Sequence, residues 1–126
     1  MNKIKIKAKV LQKIGEKLID KNVFFNSIHK DHILVKLYYS GVCGSQLMEI
    51  YGGRNNKKFL PHMLGHEGTG KIISFGQNVK NFKRGENVFL SWICSSRKNK
   101  VNPEYFDVNT KKKLMQESLP HSTIMH

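Results

Sequence analysis

Residues 3–10 read Lys-Ile-Lys-Ile-Lys-Ala-Lys-Val, a strict alternation of charged and apolar side chains. Successive side chains of a strand point to opposite faces, so this segment suits a β-strand with one wet and one buried side, and no amphipathic helix has that period. The lysines also discourage edge-to-edge pairing. Ile14-Gly15-Glu16 reads as a turn, and Lys17 to Phe25 as a returning strand. His32 to Tyr39 is the most apolar strand, with Ile33, Val35, Leu37 and Tyr39 on one face and Leu34 on the other, which predicts a central position. Glu67 to Ser74 and Asn87 to Ile93 add two more strands, with Gly68 and Gly70 at close-packing positions. Short strands with turns every ten to fifteen residues predict a mainly β fold, a partly open barrel with short helices. One such helix is expected from Cys43 to Tyr51, capped by Ser45, with Leu47, Met48 and Ile50 as its apolar side. From Cys94 to Asn109 no period is evident.

Two segments carry chemistry. Gly41-Val42-Cys43-Gly44-Ser45-Gln46 puts a thiol at the end of the most apolar strand, and Gly65-His66-Glu67-Gly68 puts an imidazole beside a carboxylate. Cys, His and Glu are ligands of catalytic zinc sites, which usually have three protein ligands and one open position. Taken singly, Cys43 also reads as a small buried hydrophobe and His66 as a turn histidine.

The flanks resemble a known family. Leu34 to Ser45 is similar to the segment that delivers the first zinc ligand in the zinc-dependent alcohol dehydrogenases of the medium-chain dehydrogenase/reductase superfamily. Leu60 to Gly70 resembles the family's GHE segment, and Gly76 to Val88 the loop and strand that follow. The resemblance runs from about residue 5 to residue 93 and implies the family's N-terminal, GroES-like β-barrel, incomplete at its C-terminal end, over residues 1–108. It implies Cys43 and His66 as zinc ligands and Glu67 as the adjacent acid, either inside the coordination sphere or next to it. It makes Ser45 the hydroxyl that bonds the substrate oxygen. Two residues depart from the family pattern: Gln46 stands where an Asp often orients the zinc-bound histidine, and Met48 where a relay histidine occurs. The cysteine-rich lobe that binds a second, structural zinc in many members is represented by Cys94 alone, so no structural zinc is expected.

Full-length members add an NAD(P)-binding Rossmann domain and act on a small alcohol or aldehyde. This sequence contains no G-x-G-x-x-G, so it offers no site for NAD(P), and inactivity alone is expected. A separately encoded Rossmann chain is one route to a complete enzyme. Residues 109–126 are expected to be a tail. Read one base back, the codons of Leu114 to His126 permit an A-G-x-x-x-T-F-x-x-Y-A pattern. It is similar to the stretch with which lobe-less members continue, and it points to a frameshift near Lys113 and a disordered tail.

The formal charge of +13 raises an alternative, a small basic nucleic-acid-binding module. The lysines are spread along the sequence, and only Arg97-Lys98-Asn99-Lys100 and Lys111-Lys112-Lys113 are dense. No helix-turn-helix, zinc-finger or RNA-recognition pattern accompanies them, so a solvated basic surface is the expectation. No apolar run approaches the roughly 18 residues of a membrane span, and the lysine-punctuated N-terminus lacks the apolar core of a signal peptide, which makes the cytoplasm the expected location.

Overall fold

The computed structural model describes residues 3–55, 57–91, 101–116 and 123–125. The strands in chain order are β1 (Ile4–Leu11), β2 (Ile19–Phe25), β3 (Ile33–Ser40), β4 (His62–Met63), β5 (Gly68–Phe75), β6 (Asn87–Leu90), β7 (Tyr105–Asp107), β8 (Lys113–Gln116) and β9 (Thr123–Met125). Helix α1 (Gly44–Ile50) lies between β3 and β4 in the chain. The chain divides into two compact units, Met1–Asn26 with Val42–Gly65 and Glu104–Glu117, and Ser27–Gly41 with His66–Pro103 and Ser118–His126.

The first unit is a barrel. Its strands close in the order β1-β2-β7-β8-β4, with β4 and β8 parallel and every other neighbouring pair antiparallel. The alternating lysines of β1 face outward, and Val10 and Leu11 are buried. Phe25 and Tyr105 meet edge to face inside, their ring centroids 5.8 Å apart, and Val23 and Leu114 are buried with them. Full burial of each such side chain contributes about 1.5–3 kcal/mol, so the interior of this small ring is its main source of stability.

Three strands of the ring, β4, β7 and β8, have no counterpart in the sequence patterning. β7 and β8 form a hairpin, Tyr105 opposite Leu114 and Phe106 opposite Lys113. A three-residue strand is too short to display a period, and its turn depends on Asp107. The Asp107 carboxylate accepts hydrogen bonds from the Asn109 N–H at 2.8 Å, the Thr110 N–H at 3.0 Å and the Lys21 ammonium. The domain boundary expected at 108/109 falls inside this hairpin, and β8 and β9 lie within the stretch expected to be a tail.

The second unit is a four-stranded sheet in the order β6-β5-β3-β9. β3 runs antiparallel to β5 and parallel to β9, the interior position that its two apolar faces predict. Ile33, Val35, Ile72 and Leu90 form the core, with Leu37, Val79 and Val88 against it. Gly68 and Gly70 let β5 pass close to β3, because an added Cβ would stand 2.6 Å from the Tyr39 carbonyl oxygen and 2.3 Å from that of Lys36. Tyr39 departs from the predicted alternation. The register shifts between Leu37 and Tyr39, and Tyr39 is 78% exposed. Trp92 and Cys94 lie outside the described residues, and with them any pairing of Cys94.

Candidate metal centre

The strand β3 ends at Ser40, and the chain leaves the second unit at Gly41. There the Gly41 N–H donates to the Glu67 carbonyl at 3.3 Å, and the Ser40 hydroxyl donates to the same oxygen at 3.2 Å. The Glu67 side chain rests directly on Gly41, since a Cβ at that position would stand 2.8 Å from Cγ of Glu67. Any larger residue at 41 would push the acid away. Gly65, just before the histidine, has φ +132°, a conformation that favours glycine. His66 is buried and Glu67 half-buried.

Cys43 begins α1 as its N-cap, with extended φ and ψ of −98° and 151°. This corrects the predicted cap: Ser45 lies inside the first turn, and the position that ends the non-helical chain is the cysteine itself. Gln46 then takes an unexpected part. Its side-chain oxygen accepts the Cys43 N–H at 3.0 Å, while its own N–H donates to the Cys43 carbonyl at 3.0 Å. The residue that replaces the family's Asp thus fixes the backbone of the thiol-bearing residue. A glutamine three residues after an N-cap is a legible signal for such a bond. The buried side of α1 is Gln46 and Glu49, with an Arg54 guanidinium nitrogen 3.6 Å from the Glu49 carboxylate. Leu47 and Met48 were expected inside but are 46% and 49% exposed. Seven residues are too few for apolar spacing to decide which side is covered.

Cys43 in the first unit, and the adjacent His66 and Glu67 in the second, are the side chains whose donor atoms suit a metal ion. A thiol, an imidazole and a carboxylate fit zinc, with softer sulfur and nitrogen donors beside a harder oxygen. The hydroxyl of Ser45 supplies a second sign of a ligand-facing corner, being buried without a hydrogen-bond partner among the described residues. Position 48 carries no proton-transferring group, as Met48 has none.

The alcohol dehydrogenase GroES-like domain profile matches residues 29–112, more than half of the chain. This chain belongs to that family. Alcohol dehydrogenase 1 of Emericella nidulans is 34% identical over 89 residues, which cover 71% of this chain and 25% of the relative. The NAD-dependent alcohol dehydrogenase of Sulfolobus acidocaldarius is 33% identical over 94 residues, covering 70% of this chain and 27% of the relative. Among solved structures, an alcohol dehydrogenase zinc-binding domain protein from Burkholderia ambifaria superposes with a TM-score of 0.62 at 26% identity, covering 68% of this chain and 23% of that one. The apo form of zinc-dependent alcohol dehydrogenase 2 from Streptococcus pneumonia gives a TM-score of 0.54 at 29% identity, covering 70% and 25%. The chain therefore spans about a quarter of the length of the curated relatives it matches. No described helix is long and apolar enough to cross a membrane.

Proposed function

We propose that this chain supplies the thiolate and imidazole corner of a catalytic zinc centre in an alcohol dehydrogenase-like oxidoreductase. Cys43 and His66 would hold the metal, with Glu67 beside them. The observation that carries this reading is the junction at Gly41, where the Glu67 backbone and side chain both rest on the glycine two residues before Cys43. Zinc bound there would act as a Lewis acid toward a substrate oxygen. Ser45, whose buried hydroxyl has no hydrogen-bond partner among the described residues, would bond that oxygen. Gln46 holds the Cys43 turn but, as a neutral amide, takes up no proton. With Met48 in place of a relay histidine, a proton would leave through water.

The substrate class on this reading is a small alcohol or aldehyde. The nicotinamide cofactor would come from a separately encoded Rossmann chain, and the cytoplasm is the compartment.

Cobalt(II) titration tests the metal site without requiring turnover. Thiolate-to-cobalt absorption is expected on titration, with weak affinity because the donors on this chain number two or three. Cys43→Ser should abolish that band, and His66→Ala should weaken binding by at least about tenfold. A band that survives in Cys43→Ser would refute the assignment.

A further inference from the structure

The lysines that look scattered in the sequence are gathered by the barrel. Strand register places Lys5, Phe24, Phe106 and Lys113 in one row across β1, β2, β7 and β8. The adjacent residues Phe25, Tyr105 and Leu114 are buried inside, so this row lies on the outer face. Phe24 and Phe106 stack with centroids 5.5 Å apart. The Lys3 ammonium lies 4.5 Å from the Phe24 centroid and that of Lys111 5.6 Å from it.

Among the described residues, the acidic partners on this face stand at its margins, Asp20 with Lys9 at 2.8 Å and Glu104 with Lys113 at 2.6 Å. Among the described residues no carboxylate pairs with Lys3, Lys5, Lys7 or Lys111. Like charges held close on one sheet face repel, and a polyanion relieves that repulsion. Alternate positions along a strand repeat every ~6.8 Å, a spacing suited to successive phosphates of an extended single strand.

We propose that this outer face binds single-stranded nucleic acid, its lysines neutralising phosphates and the half-buried Phe106 ring offering a stacking surface to a base. A membrane surface fits less well. Phe24, between the two lysines, is only 7% exposed, so it has little apolar surface to insert among acyl chains. The proposal is independent of the metal centre, and none of its residues belongs to that site.

The experiment is fluorescence anisotropy of a labelled oligothymidylate across a salt series, with the intact chain. Saturable binding is expected, with log K falling against log salt at a slope of about −3 for roughly four neutralised phosphates. Lys5→Glu with Lys7→Glu should weaken binding by at least about tenfold and roughly halve that slope. The same charge change at exposed Lys80 and Lys83 should leave affinity within about twofold. Should the Lys5 and Lys7 charge reversals unfold the barrel, Lys5→Gln with Lys7→Gln keeps the test open, with an expected loss of at least about threefold. Absence of saturable binding, equal losses in the two charge-reversed pairs, or binding to phosphatidylserine vesicles and not to the oligonucleotide would each overturn the proposal.

Discussion

Asp107 shows how a buried charge can organise a turn. The Lys21 ammonium, hydrogen-bonded to it, and the Thr110 and Asn109 N–H groups lower its pKa from 3.8 to about 2 against the opposing cost of burial. The unfolded chain therefore binds the proton first as pH falls. Stability from this group is fully present above about pH 4 and is lost as pH drops through about 2. Asp107→Asn is expected to lower stability at neutral pH by about 1–2 kcal/mol and to flatten that acid limb, which urea melts at a series of pH values would show. His32 works in the opposite pH direction from a raised histidine. Its Nε2 donates to the Val101 carbonyl at 2.7 Å, leaving Nδ1 buried as an acceptor without a partner among the described residues. Burial lowers its pKa below 6.5 and His29 adds repulsion, while the Val101 bond and Asp31 act the other way. The neutral ring is thus the folded form. The contribution of His32 to stability is present above pH 6.5 and is lost as pH falls through its lowered pKa. Ring-proton NMR should give a midpoint below 6.5; one above it would contradict the role of burial.

At the scale of elements, β8 separates a structural role from that of an appended tail. It closes the barrel between β7 and β4 and buries Leu114. A chain ending at Lys112 should lose near-ultraviolet dichroism and cooperative melting, and Leu114→Ala should cost about 2–5 kcal/mol. Unchanged melting of the shortened chain would make residues 113–126 dispensable. In the second unit, β6 pairs with β5 alone among the described strands and carries Phe89 at 70% exposure. An exposed aromatic on an edge strand invites self-association. Phe89→Thr is expected to reduce scattering at high concentration with little change in melting temperature; an unchanged scattering profile would clear β6 of that role.

For the molecule as a whole, the prediction concerns NAD(P), which this sequence is not expected to bind. The sequence has no G-x-G-x-x-G to bring backbone N–H groups around a pyrophosphate. Titration with NADH should show no saturable fluorescence change, and saturable binding would reveal a nucleotide site of a different kind. The whole-molecule charge of +13 is likewise not spread evenly, because the barrel collects lysines distant in sequence, Lys3 and Lys111 among them, around one aromatic pair.

The mainly β class, the β1 alternation, the interior place of β3 and the close approach at Gly68 and Gly70 were all readable from the chain, because strand period and glycine size act locally. The family was readable as well, since its motifs are contiguous runs of residues. Tertiary structure alone decided the rest. It selected the buried side of α1, where Gln46 and Glu49 displaced the expected Leu47 and Met48. It also made strands of β7 and β8, segments too short to show a period. Their pairing depends on a carboxylate, Asp107, and an ammonium, Lys21, 86 residues apart in the chain, and only the closed ring brings those two groups together.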